Sequence, residues 1–367
     1  MKRIILPFLA LLFFAQCRTS RNISKPGADG RTVLAGITKE GFIDCFENGL
    51  SASGLPVWCE ASAILYDGRH LLLANDKDMP DNRSSVFYWG LKKGVPDTST
   101  QVNYVTNAVF KTAKKFEDFA ATPDGKFIFL STAFDRVKPG TSEWNGYNSI
   151  YYWQTGNENQ PTVLNTNGTD STSVFLREKF SAALKSPEFP QGMPYFKIEG
   201  LAATDNELYF GVREEGLKFD SFQYKIKILS ISFSVNNGTI QLGDSLKVIT
   251  DFIAASSDTS FKQPMGISSI EFDRYNNRFL ILTSYEKAEN LGGYLWTASR
   301  SDLENNKLSP VRDQAGRPIS FTHKPEDIAV ISKKKVIIIH DDDRVKTTVS
   351  GAERQPNQAA YSIVEFR

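Results

Sequence analysis

The chain has 367 residues, 41% hydrophobic and 23% charged, with 43 basic against 42 acidic side chains and a formal charge of +1. That balance excludes a disordered chain and offers no basic surface for nucleic acid. The length exceeds the usual single-core size, yet one domain remains possible in a repeat architecture, where each unit packs on its neighbours.

Residues 1–16 read as an export signal, with Lys2 and Arg3 ahead of an apolar run over residues 4–14 and then Ala15, Gln16 and Cys17. The run is too short to span a bilayer. A cysteine directly after such a run is the pattern of a bacterial lipoprotein signal, so Cys17 is expected to be the lipidated mature N-terminus. The membrane is then a partner through that anchor alone, and the expected location is the bacterial cell envelope, periplasmic or surface-exposed. Gln16 stands where a small residue is usual, so simple cleavage nearby and an uncleaved anchor stay open. Loss of Lys2 and Arg3 leaves a mature charge of about −1, which again argues against nucleic acid as a partner. Residues 17–31 are polar and rich in turn formers and read as a flexible tether. Residues 32–367 read as one domain, expected to be a monomer.

Cys45 and Cys59 are the two remaining cysteines. In an oxidising compartment they form either a disulfide, worth about 3 kcal/mol in the chain-entropy account, or two buried reduced thiols.

A short pattern then returns five times: Glu60-Ala61-Ser62-Ala63, Glu117-Asp118-Phe119-Ala120, Glu199-Gly200-Leu201-Ala202, Met265-Gly266-Ile267-Ser268 and Glu326-Asp327-Ile328-Ala329. Aligned this way, every unit but the fourth puts a Glu at one structural place. Behind each anchor comes an apolar run, over residues 71–74, 127–130, 208–211, 279–282 and 336–339, typically after a turn such as Asp67-Gly68 or Asp124-Gly125. Third strands are expected over residues 86–89, 150–153, 228–231, 294–296 and 361–364, and weaker fourth strands over 102–105 and 246–249. Short sheets repeated about an axis predict an all-β fold, a β-propeller with five blades, six being the alternative. The long second step carries Val174, Phe175, Phe180, Ala183 and Leu184 at amphipathic spacing and predicts an inserted helix. The last unit has three strands, so a strand from residues 32–46 is expected to close its blade. Trp89, Trp153 and Trp296 are expected between blades.

In such a blade the start of the first strand and the end of the second share a face. Glu60, Glu117, Glu199 and Glu326 would therefore meet Asp76, Asp341 and the cationic Arg136, Arg213 and Arg344 at one mouth of the channel. Crowded carboxylates need cations, protons or guanidinium partners. Hard oxygen donors favour Ca²⁺, and the three histidines, at 70, 323 and 340, are too scattered for zinc. The other reading is architectural, with each Glu capping backbone N–H groups or pairing with an Arg of the next blade. No Gly-x-Ser-x-Gly elbow, phosphate-cradling glycine loop or HExxH motif is present.

Glu199-Gly200-Leu201-Ala202 with Leu208-Tyr209-Phe210-Gly211-Val212-Arg213, and Lys324-Pro325-Glu326-Asp327-Ile328 with Ile339-His340-Asp341-Asp342-Asp343, resemble the phytase-like or esterase-like propellers of bacterial exported proteins. The resemblance implies Ca²⁺-dependent phosphoester hydrolysis for some members, with Glu199, Glu326 and Asp341 to Asp343 as ion ligands and Arg213 as an anion clamp. Two readings follow: a Ca²⁺-dependent hydrolase of phosphoesters or other esters, acting on a small molecule, and a non-catalytic surface propeller that binds a glycan or protein at this face.

Overall fold

The structure is a computed structural model that describes residues 32–81, 83–97, 101–111, 114–165, 170–287 and 290–367. The expectations for residues 1–31, Cys17 among them, lie outside the described residues. Five antiparallel sheets stand around an axis as the blades of a propeller. The inner strands are Ala61–Tyr66, Phe116–Ala121, Tyr195–Ala203, Gly266–Asp273 and Pro325–Ser332. They are buried over most of their length because both faces lie against neighbouring blades, and their near-continuous apolar runs reflect this.

The second strands, His70–Asn75, Phe127–Thr132, Glu207–Lys218, Arg278–Lys287 and Lys335–His340, contain every segment expected of them. The fifth blade is completed by Ala35–Asp44 pairing antiparallel with Gln358–Phe366, so the chain closes its own ring. Closure removes the exposed sheet edges an open array would leave. The expected helix is Phe175–Ala183, with Leu176 and Phe180 buried.

Five apolar clusters each fill the gap between two adjacent blades. Trp89 lies between the fifth and first blades, Trp153 between the first and second, and Trp296 between the third and fourth. Trp296 Nε1 donates to Thr283 Oγ1 at 2.9 Å and Trp89 Nε1 to the Asp44 carbonyl at 3.0 Å, which satisfies the polar end of each indole. Cys45 and Cys59 are joined as a disulfide, with their Cα atoms 6.0 Å apart.

Candidate functional site at the channel mouth

The inner strands share one irregularity. In each blade the pairing with the second strand skips a residue near the strand's start: Ser62, Glu117, Glu199, Ser268 and Glu326. A bulge frees that residue from the ladder and re-aims the side chains beside it. The register corrects the alignment made on acidic residues. Glu60 lies two residues ahead of its bulge, where Ser62 holds the place of Glu117. In the fourth blade Ser268 holds it, while Met265 is buried in the apolar cluster between the third and fourth blades. The better marker is the bulky apolar residue two after the skipped one: Ile64, Phe119, Leu201, Ile270 and Ile328.

One residue past the bulge, the side chains meet at the axis. Asp327 accepts from the backbone N–H of Ile64 at 2.6 Å and of Ile328 at 2.5 Å, and from Ser269 Oγ at 2.7 Å. Asp118 accepts from the N–H of Leu201 at 2.7 Å and of Ile270 at 3.3 Å. Two carboxyls thus take inner-edge N–H groups from four blades. Burial pushes both upward, Asp327 to about 7 and Asp118 well above its usual range, and the Asp327 charge raises Asp118 further.

At the mouth the charges are balanced differently. Residues two apart on a strand face the same way, and a lysine stands two before the glutamate in three blades: Lys115 and Glu117, Lys197 and Glu199, Lys324 and Glu326. Lys197 Nζ contacts Glu199 and lies 3.5 Å from Glu117. Lys115 lies 3.9 Å from Glu117 and 3.2 Å from Asp135, and Lys324 lies 2.9 Å from Glu326 and 3.3 Å from Glu286. In the fourth blade the lysine's place is Gly266, where a Cβ would sit 2.5 Å from Arg213 Cγ. The glycine makes room for Arg213, which pairs with Glu199 at 3.1 Å and Glu286 at 3.6 Å and hydrogen-bonds Ser284 Oγ at 2.6 Å. In the first blade the place is Glu60 itself, paired with Lys77 at 2.7 Å.

The carboxyls of the mouth divide by protonation. Burial pushes Glu117 to about 8 against the pull of Lys197, and Glu326 to about 7 against Lys324. Burial also raises Asp76 and Asp341, helped by Glu60 at the first and by Asp343 and Glu326 at the second. Burial would raise Asp135 and Glu286 too, yet a hydrogen bond from Arg136 holds the first at about 2, and Lys324 with Arg213 holds the second at about 2. Glu199 is likewise held below its usual value, with Arg213 and Lys197 outweighing its burial.

A pocket of about 370 Å³ opens here, lined among others by Asp76, Glu117, Asp135, Arg136, Glu326 and Asp341. Of the expected residues, Asp76, Glu117, Arg136, Glu326, Asp341 and Asp343 share the pocket. Arg136 stands in its wall, 2.6 Å from Asp135 and 4.5 Å over the Tyr147 ring. Glu60 sits at the rim beside Arg344, whose Nε is 3.6 Å away and whose side chain points largely into solvent. Glu199 and Arg213 lie behind the wall. At 1% exposure, Arg213 is enclosed by its own carboxylate partners and is not placed to clamp a ligand, contrary to the expectation. Sequence reading missed Lys115, Lys197 and Lys324, although the lysine two before each glutamate was a visible signal. It also missed Tyr195, Phe219 and Phe222, which another strand and a hairpin bring to the pocket.

Among the described residues, one group of donors fits a hard cation. Glu60, Asp341 and Asp343 each offer a carboxylate oxygen, and these oxygens lie within 4.8 Å of one another. Oxygen ligands at 2.3–2.6 Å from Ca²⁺ span separations of that order.

No family model matches the chain, and no curated protein matches it. Among solved structures the chain is similar to the catalytic domain of a GH62 α-L-arabinofuranosidase from Coprinopsis cinerea. The identity is 10%, with 91% of this chain and 96% of that one covered and a TM-score of 0.43. A glycosyl hydrolase from Bacteroides ovatus aligns at 9% identity over 84% of each chain with a TM-score of 0.38. The PQQ-bound aldose sugar dehydrogenase of Streptomyces coelicolor aligns at 11% over 89% of this chain and 98% of that one, with a TM-score of 0.32. These are distant likenesses, and the functional reading rests on the geometry of the mouth.

Proposed function

We propose that the protein is an exported, Cys17-anchored propeller whose channel mouth binds Ca²⁺ and hydrolyses a phosphoester or another ester of a small anionic molecule. The observation that carries the reading is the convergence of Glu60, Asp341 and Asp343 at the rim of a pocket that also holds proton donors and acceptors. Asp341 is raised by its burial among like charges, so a cation there would displace a proton and relieve the repulsion. Bound at those oxygens, Ca²⁺ would neutralise charge on the substrate anion. Lys115, Lys197 and Lys324 would hold and orient the same anion. Glu326, at about 7, is suited to donate a proton to a leaving oxygen, while Glu286 and Asp135, at about 2, are ionised and suited to orient water.

The non-catalytic reading, a propeller that binds a glycan or protein partner at this face, is favoured by one observation. Glu117, Glu199 and Glu326 already have lysine partners, as an architectural ring would. Purified protein assayed against phosphomonoester, lactone and carboxylester panels, with Ca²⁺ and with chelator, separates the two. The hydrolytic reading expects turnover that needs Ca²⁺ and falls at least about a hundred-fold in Glu326→Gln. Absence of turnover on every panel leaves the binding reading.

A further inference from the structure

The third blade departs from the others in length. Its second and third strands, Glu207–Lys218 and Ser221–Asn236, run on past the blade as a hairpin with Phe219 and Asp220 at the tip. Pairing continues through Glu214 with Tyr224 and Gly216 with Phe222. Gly216 permits this crossing, since a Cβ there would meet the Ser221 carbonyl oxygen at 2.3 Å and Phe222 Cα at 2.6 Å.

The hairpin brings an apolar element to an otherwise charged pocket. Phe219 and Phe222 line the mouth with Tyr195 and with Lys115 and Lys324. Ring centroids are 6.0 Å apart for Tyr195 and Phe222 and 5.4 Å for Phe222 and Tyr224. The row is braced at both ends. Tyr195 Oη donates to Glu214 Oε2 at 2.5 Å, and the buried Arg213 guanidinium lies 5.0 Å from the Tyr224 ring. Phe219 is 73% exposed, a large apolar side chain that nothing in the fold covers.

We propose that this hairpin is the specificity element of the site, and that its ligand is amphipathic: a compact anion for the lysines, joined to a flat apolar group that packs on Phe219 and Phe222. Aromatic faces favour offset or edge contacts with another ring, and an exposed Phe beside a polar floor gains by being covered. The inference rests on the reading of the mouth as an anion site and adds the chemistry of the other half of the ligand.

Two non-hydrolysable probes test it without requiring turnover. Calorimetry with Ca²⁺ present compares phenylphosphonate with methylphosphonate on wild type, Phe219→Ser, Phe222→Ser and Leu217→Ser. Leu217 is also exposed on the hairpin but does not line the mouth. The expected result is a preference for the phenyl probe of about ten-fold or more. That preference should be lost in Phe219→Ser or Phe222→Ser and kept in Leu217→Ser. Equal affinity for the two probes, or a preference that survives both phenylalanine changes, overturns the inference while the anion site stands. If neither probe binds, the anion site fails and the inference fails with it.

Discussion

The axis and the mouth of the channel are built from adjacent residues of the same bulge, yet they resolve crowded carboxyls in opposite ways. At the axis, Asp118 and Asp327 are enclosed, are both raised by burial and accept backbone N–H groups from four blades. One register position earlier, Glu117 and Glu326 face a solvent-connected pocket and are balanced by lysines. Backbone donors are fixed by the fold, so the axis has one arrangement and serves architecture. Lysine side chains can move and exchange partners, so the mouth can admit a ligand or a cation.

The sharpest way to break this comparison is to remove an axial carboxyl. Asp118→Ala strands the buried N–H groups of Leu201 and Ile270 and leaves Asp327 without its partner. It is expected to cost about 4 kcal/mol in urea unfolding. Asp118→Asn keeps an acceptor and supplies a donor to Asp327, and should cost under about 1 kcal/mol. Equal losses in the two variants would show that the hydrogen bonds are not what matters there.

At the mouth, Lys197→Met removes the cation shared by Glu117 and Glu199 and is expected to cost about 3 kcal/mol. Glu117→Gln in the same chain should recover part of that loss above about pH 8, where Glu117 would otherwise ionise and repel Glu199. A double variant no more stable than Lys197→Met would place the lysine's role elsewhere. The disulfide offers a reference of similar size, with Cys45→Ser expected to cost about 3 kcal/mol under oxidising conditions for a 14-residue separation.

A smaller effect comes from pH. A carboxyl whose folded value is raised holds more protons folded than unfolded, so its contribution is fully present below the unfolded value and is lost as pH rises through the folded one. For Asp327 that interval runs from 3.8 to about 7, and for Glu117 from 4.5 to about 8. Melting temperature should therefore fall as pH rises from about 4 to about 8. The fall should be shallower in Asp118→Asn, where one of the raised carboxyls no longer titrates. Identical slopes in wild type and variant would contradict the account of raised axial carboxyls.

Much of the fold was legible in the sequence because hairpin turns and apolar runs recur at each blade, and because a ring must close with whatever strand remains. The bulge was not, since a skipped residue leaves no compositional mark. For that reason Glu60 was aligned with Glu117 on chemical likeness, when the bulky Ile64 and Phe119 were the true equivalents. The site was half legible. Acidic residues stood out at the strand ends, but Arg213 looked free in sequence and is enclosed, because Gly266 on the next blade leaves space for it. Phe219 and Phe222 belong to a hairpin whose overhang depends on strand length, which the local pattern does not reveal.

The central claim, that the mouth takes up a hard cation at Glu60, Asp341 and Asp343, is tested most directly by calcium titration of wild type and Asp341→Asn, read by calorimetry and urea unfolding. The account predicts one binding event in wild type, proton release on binding and a stability that grows with calcium, all lost in Asp341→Asn. A wild-type protein whose heat signal and unfolding midpoint ignore both calcium and chelator would contradict it and leave the mouth a lysine–carboxylate ring.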